Sequence, residues 1–104
     1  MNFTLATALV LEAMAAGYHY GFDVMDVTGL PSGTVYPALR RLEDEGFTRS
    51  RWEKARLAHE EGRPPRRYYE ISASGERWLA EARERFRRLE ATVPRKLKPA
   101  RVEG

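Results

Sequence analysis

Residues 31–46, Pro-Ser-Gly-Thr-Val-Tyr-Pro-Ala-Leu-Arg-Arg-Leu-Glu-Asp-Glu-Gly, leave the chain few ways to fold. Val35, Leu39 and Leu42 recur at i, i+4 and i+7 with Ala38 among them, which is one apolar stripe of a helix. At ~100° per residue, Gly33, Tyr36, Pro37 and Arg40 fall on the opposite face. The acidic run Glu43-Asp44-Glu45 follows one or two turns further on. A leading end with hydroxyls, free N–H groups and an arginine suits phosphates and base edges in a groove, so the stretch reads as a recognition helix. An ordinary amphipathic surface helix would carry the same stripe, and the neighbouring segments decide between the two.

Upstream, residues 3–16 are rich in Ala and Leu without Gly or Pro and read as a helix, apolar nearly all round, that other elements must cover. Gly17 ends it, and Tyr18-His19-Tyr20 forms a short link. Residues 21–27 read as a short second helix closed by Thr28-Gly29, with Gly29 suited to a left-handed cap. Two helices joined by a tight turn make a helix-turn-helix. Pro31 lies just outside or at the start of its second helix, which either has Ser32 as its N-cap or begins at Gly33 or Thr34. Pro37 restricts the backbone in either case and helps hold Tyr36 in one orientation.

Downstream, residues 47–53 and 67–71 are short, aromatic and β-branched, and pair as an antiparallel hairpin. The charged connection between them, residues 54–66, has little apolar surface to anchor it and is expected to be mobile without a ligand. Arg63, Arg66 and Arg67 flank a proline pair, where they can track a phosphate backbone or enter a narrow minor groove. The fold class is therefore mainly α with a small β-hairpin, a winged helix-turn-helix over residues 1–71. Ser72 then caps a last helix over residues 72–93, and residues 94–104 form a basic flexible tail. Leu79, Ala82, Phe86, Leu89 and Val93 are spaced 3-4-3-4, a narrow seam on an otherwise charged helix, which suits a dimer partner. Packing along the chain's own first helix is the alternative for the same residues.

The charge is distributed unevenly. Residues 1–30 hold three acids and no Lys or Arg, whereas residues 49–70 hold seven basic against four acidic residues and residues 71–104 nine against five. That asymmetry fits a polyanion binder. Without cysteine there is neither a disulfide nor a thiolate metal site, which fits a reducing compartment such as the cytoplasm. Residues 3–15 imitate a secretory signal, but no Lys or Arg precedes them and Glu12 sits at the join. No apolar run approaches a membrane span. His19 and His59 have no spaced partners and no glycine-rich phosphate loop is present, so neither an enzyme, a metal site nor a cofactor is expected.

Several runs together resemble the PadR family of bacterial winged-helix transcriptional regulators, originally named for control of phenolic acid decarboxylase. They are Tyr20-Gly21-Phe22-Asp23, the Ser-Gly-Thr-Val-Tyr-Pro-Ala-Leu run from Ser32, Gly62-Arg63-Pro64 with Arg67-Tyr68-Tyr69, and Ser72-Ala73-Ser74-Gly75. The resemblance implies a homodimer on a roughly palindromic double-stranded DNA operator, usually a repressor and often relieved by a small molecule. It points to the short branch with one C-terminal dimerisation helix. The link between the second and third helices is shorter than is common in that family, and Ser72 stands where Thr is frequent. On this reading Tyr36 contacts a phosphate, and Arg40 a phosphate or guanine edge. Ser32, Gly33 and Thr34 lie at the helix tip, Arg63 and Arg66 on the wing, and Tyr20 reaches the backbone from the second helix. Trp78, beside the seam, is the candidate for a flat apolar effector, with packing on the first helix as its alternative. A winged helix used only for protein contacts is the rival function.

Overall fold

The computed structural model describes residues 4–92. The first helix, α1 (Leu5–Ala15), begins where the Thr4 hydroxyl accepts the Thr7 N–H at 3.1 Å. Val10, Leu11 and Met14 are buried on it, and α2 (Gly21–Thr28), α3 (Ser32–Asp44) and the last helix pack around them. The turn into α3 works because Gly29 adopts φ +73°, a left-handed cap that a side chain would resist.

α3 starts at Ser32, the residue expected to cap it. Pro31 is the flanking extended residue and Ser32 the first helical one, so Pro37 is the sixth helical residue, inside the helix. It has no N–H for the Gly33 carbonyl, a deficit of ~3 kcal/mol in an ordinary interior. Both residues sit on the exposed side, where water can reach the freed carbonyl, while Val35, Ala38, Leu39 and Leu42 are buried on the other.

The hairpin pairs β1 (Thr48–Trp52) with β2 (Arg67–Ile71) in antiparallel register, Thr48 opposite Ile71 and Trp52 opposite Arg67. The link between α1 and α2 joins β2 on its other edge. Tyr20 bridges Tyr68, the Tyr69 N–H donates to the His19 carbonyl at 2.8 Å, and His19 Nδ1 lies 2.8 Å from the Tyr69 carbonyl oxygen.

The segment expected to be mobile carries α4 (Ala55–Glu60). Ala58 is fully buried, its carbonyl accepts the Arg63 N–H at 3.0 Å, and Glu53 clamps the far side. Apolar content alone underrated this loop, because a carboxylate and one small side chain organise it.

Ser72 does cap α5 (Ala73–Thr92), accepting the Gly75 N–H at 3.1 Å. Ser72 and Ser74 hydroxyls both donate to the Gly46 carbonyl, at 2.6 and 2.9 Å. A Cβ at Gly75 would collide with the Phe47 carbonyl oxygen, so glycine permits this close approach. The seam of α5 divides. Leu79 and Ala82 are buried in the chain's own core against α1, so they are not available to a partner. Phe86 is half-buried and Leu89 is 54% exposed, because α5 extends past the end of the core there. Trp78 is 7% exposed and stacks on Phe47 at 5.6 Å between centroids, within the domain's core. Val93 and the basic tail lie outside the described residues. Among the described residues, no helix is long and apolar enough to cross a membrane.

Candidate nucleic-acid interface

The face of α3 opposite its buried stripe holds Ser32, Gly33, Tyr36, Pro37 and Arg40, all exposed, with Thr34 half-buried beside them. Tyr36 is not free to swing. Its ring lies against α2, where a Cβ on Gly21 would come within 2.6 Å of Cε1 and 2.8 Å of the hydroxyl oxygen. The Tyr-Gly-Phe and Val-Tyr-Pro runs therefore depend on each other, since the glycine opens the space into which the tyrosine leans. Arg40, one turn on, makes no hydrogen bond or ion pair among the described residues.

Tyr36 and Arg40 share a polar crevice of about 180 Å³ with Glu43, Asp44, Arg67 and Tyr69. Arg67 joins wing to helix, its Nε donating to the Ser50 hydroxyl at 2.9 Å and a terminal nitrogen to Glu43 Oε2 at 3.2 Å. Burial pushes the Tyr69 phenol above its ordinary range. A second crevice of about 140 Å³ lies between Tyr20, Gly21, Phe22, Tyr36, Arg66, Arg67 and Tyr69, at the leading end of α2.

The wing is held by charge and aromatic stacking. Both terminal nitrogens of Arg63 meet Glu53, at 2.5 and 2.8 Å, and its Nε meets Glu61 at 2.9 Å. These bonds, with the Arg66 N–H at 3.1 Å, lower the Glu53 carboxyl to about 2 against an opposing cost of burial, and they raise Arg63. Arg66 lies 4.0 Å above the Tyr20 ring, Tyr20 meets Tyr68 edge-on at 5.7 Å, and Arg51 covers Tyr68 at 4.3 Å. A neutralised, rigid wing base thus carries Arg51 and Arg66 on aromatic supports.

A helix-turn-helix whose second helix presents an exposed tyrosine and an unpaired arginine, backed by a cationic hairpin, suits a phosphate backbone and the groove beside it. The family model for the transcriptional regulator PadR-like family matches residues 10–81, which run from the middle of α1 into the first half of α5. The chain belongs to the PadR-like family. It is accordingly a DNA-binding regulator of transcription and not an enzyme.

Solved structures agree with this PadR-like fold. A PadR family transcription regulator from a hypervirulent Clostridium difficile is 19% identical, over 86% of this chain and 94% of that one, with a TM-score of 0.73. A PadR family regulator from Eggerthella lenta is 25% identical, over 82% and 77%, with a TM-score of 0.66. BpsR of Bordetella bronchiseptica, a structure concerned with regulation of its DNA binding by 6-hydroxynicotinic acid, is 18% identical over 94% and 70%, with a TM-score of 0.73. No curated protein matches the chain.

In this PadR-like chain the structure gathers Tyr36 and Arg40 in one crevice and Tyr20, Tyr36 and Arg66 in the other. Arg63 stands apart, its guanidinium taken up by Glu53 and Glu61. Sequence reasoning passed over Glu43 and Trp52 and gave Arg67 no partner. The signal was the strand register, which sets Trp52 opposite Arg67 on one face of the hairpin.

Proposed function

We propose that this PadR-like regulator is a repressor that binds a roughly palindromic operator as a homodimer in the bacterial cytoplasm, laying α3 in the major groove. Tyr36 donates to a phosphate, and Arg40 reaches a phosphate or a guanine edge. Ser32, Gly33, Thr34 and Pro37 bring the helix tip close to the backbone, and Tyr20 with Arg66 anchors the next phosphate. Arg63 acts by holding the wing in shape. The observation that carries this reading is the pairing of a fixed Tyr36 with an unengaged Arg40 on one exposed helix face.

Support for a dimer comes from the apolar groove of about 360 Å³ between α1 and α5, where Leu5, Leu9 and Phe86 are the large apolar side chains not already taken up by the core, with Leu89 exposed beyond it. Arg83, which holds Glu12 in an ion pair, and Arg87 stand at its rim. A flat small molecule of the kind named for BpsR would find apolar walls there, its acid group competing with Glu12 and Glu84 for Arg83 and Arg87, and its entry between subunits would relieve repression.

The test starts from DNA fragments that the protein selects from its own genome. Against such a duplex, Arg40→Ala weakens binding by ~1–3 kcal/mol. Its melting curve stays that of the wild type, since Arg40 touches nothing in the core. Unchanged affinity in an anisotropy titration would remove Arg40 from the interface.

A further inference from the structure

The wing carries an exposed feature that the reading so far does not use. Trp52, the last residue of β1, is 63% exposed, and its indole N–H has no partner among the described residues. Other aromatic rings in and around the hairpin are engaged: Tyr68 by Arg51 and His19, Tyr20 by Arg66, and Phe47 by Trp78. A single exposed aromatic is ordinary on a protein surface, so what distinguishes Trp52 is what lies beside it.

Its surroundings say which partner. One side of the ring meets the Arg67 guanidinium, 5.4 Å from the centroid, and Arg67 is itself fixed by Ser50 and Glu43. The indole is therefore propped from α3 through Glu43 and Arg67. The register puts Trp52 and Arg67 on the same side of the hairpin as Ser50 and Tyr69, the side whose Arg67 and Tyr69 share a crevice with Tyr36 and Arg40. One surface strip thus runs from the recognition helix to Trp52. By the same alternation Arg49 and Arg51 belong to the other face, so on the side of Trp52 the strip carries Arg67, held by Glu43, and Arg40 and Tyr36 in the crevice beyond it. An apolar plate with a free donor, continuous with the exposed Tyr36 and Arg40 of α3, complements a polyanion with apolar sugar edges, which describes a nucleic-acid backbone.

We propose that Trp52, propped by Arg67, is a DNA-contacting residue of the wing, its indole N–H donating to a phosphate and its ring packing on the neighbouring deoxyribose. This rests on the DNA-binding reading above and adds to it an anchor that does not read sequence.

The test uses the full chain and a mixed-sequence duplex roughly three helical turns long at low salt. Trp78 is buried, so emission that acrylamide quenches belongs to Trp52. Saturating duplex lowers the quenching constant about twofold or more, and Trp52→Phe abolishes that change, since an indole N–H on a phosphate beneath a sugar is shielded from solvent. Trp52→Ala weakens binding roughly tenfold or more, the loss of one charge-assisted bond, on mixed and genomically selected duplexes alike. Duplex that binds while leaving Trp52 as accessible as before overturns the inference and leaves the α3 reading standing. A Trp52→Ala loss confined to the selected duplex would mean base reading and would overturn the backbone assignment. Absence of any duplex binding would end the DNA reading itself, and this inference with it. Should Trp52→Ala fold poorly, the quenching of the wild-type chain decides alone.

Discussion

At the scale of single residues, the contact that most shapes the interface is one that lacks an atom. Tyr36 occupies the space where a residue other than glycine at position 21 would carry its Cβ. Gly21 is the first residue of α2, where alanine would otherwise be favoured by up to ~1 kcal/mol. Gly21→Ala should therefore leave the melting temperature close to wild type and still lower DNA affinity about tenfold, by turning Tyr36 out of place. The double variant with Tyr36→Ala should bind no worse than Tyr36→Ala alone, because both act through one ring. Additive losses in the titration would separate the two residues. The sequence shows Tyr36 and Arg40 as exposed because a helix stripe fixes its opposite face. It does not show Gly21 beneath Tyr36, or Gly75 against Phe47, because close approach between distant segments has no local period.

At the scale of elements, the wing differs most from its expectation. Charge-rich connections with one buried alanine look like loose loops, and α4 is too short to show a stripe. Order comes from Glu53, which lies 10% exposed at the end of β1 and accepts bonds from the Arg63 side chain and the Arg66 main chain. Its carboxyl is held near 2, below the ordinary 4.5, so what it contributes to wing order is complete above about 4.5 and is lost as the pH falls through about 2. The Arg66 amide proton donates directly to that carboxylate and reports on it. Its NMR shift should titrate with a midpoint near 2, and a midpoint near 4.5 would mean that Glu53 is unpaired in solution. The strands were legible from alternation, and β2 spans the five residues expected of it. The single-residue extension at Tyr20 was not, since one bridge leaves no pattern in a chain.

At the scale of the whole molecule, the last helix serves two ends. Its first half closes the domain's own core through Trp78, Leu79 and Ala82, and its second half leaves Phe86 and Leu89 beside an open groove. Heptad spacing alone could not divide the seam, because both halves obey the same period. If the second half joins two subunits, each large side chain contributes about 1.5–3 kcal/mol. Leu89→Glu should then halve the mass seen by light scattering at micromolar concentration, with the helical content unchanged. A wild-type mass equal to one chain would refute the dimer. The account as a whole stands on α3 and the wing meeting a polyanion. That is measured most directly by the affinity for a genomically selected duplex as salt is raised. The account predicts binding that falls steeply, with a log–log slope of about −4 or more negative for a dimer placing several phosphate contacts. An affinity indifferent to salt would contradict it, and would return the winged helix to the role of a protein-contact module.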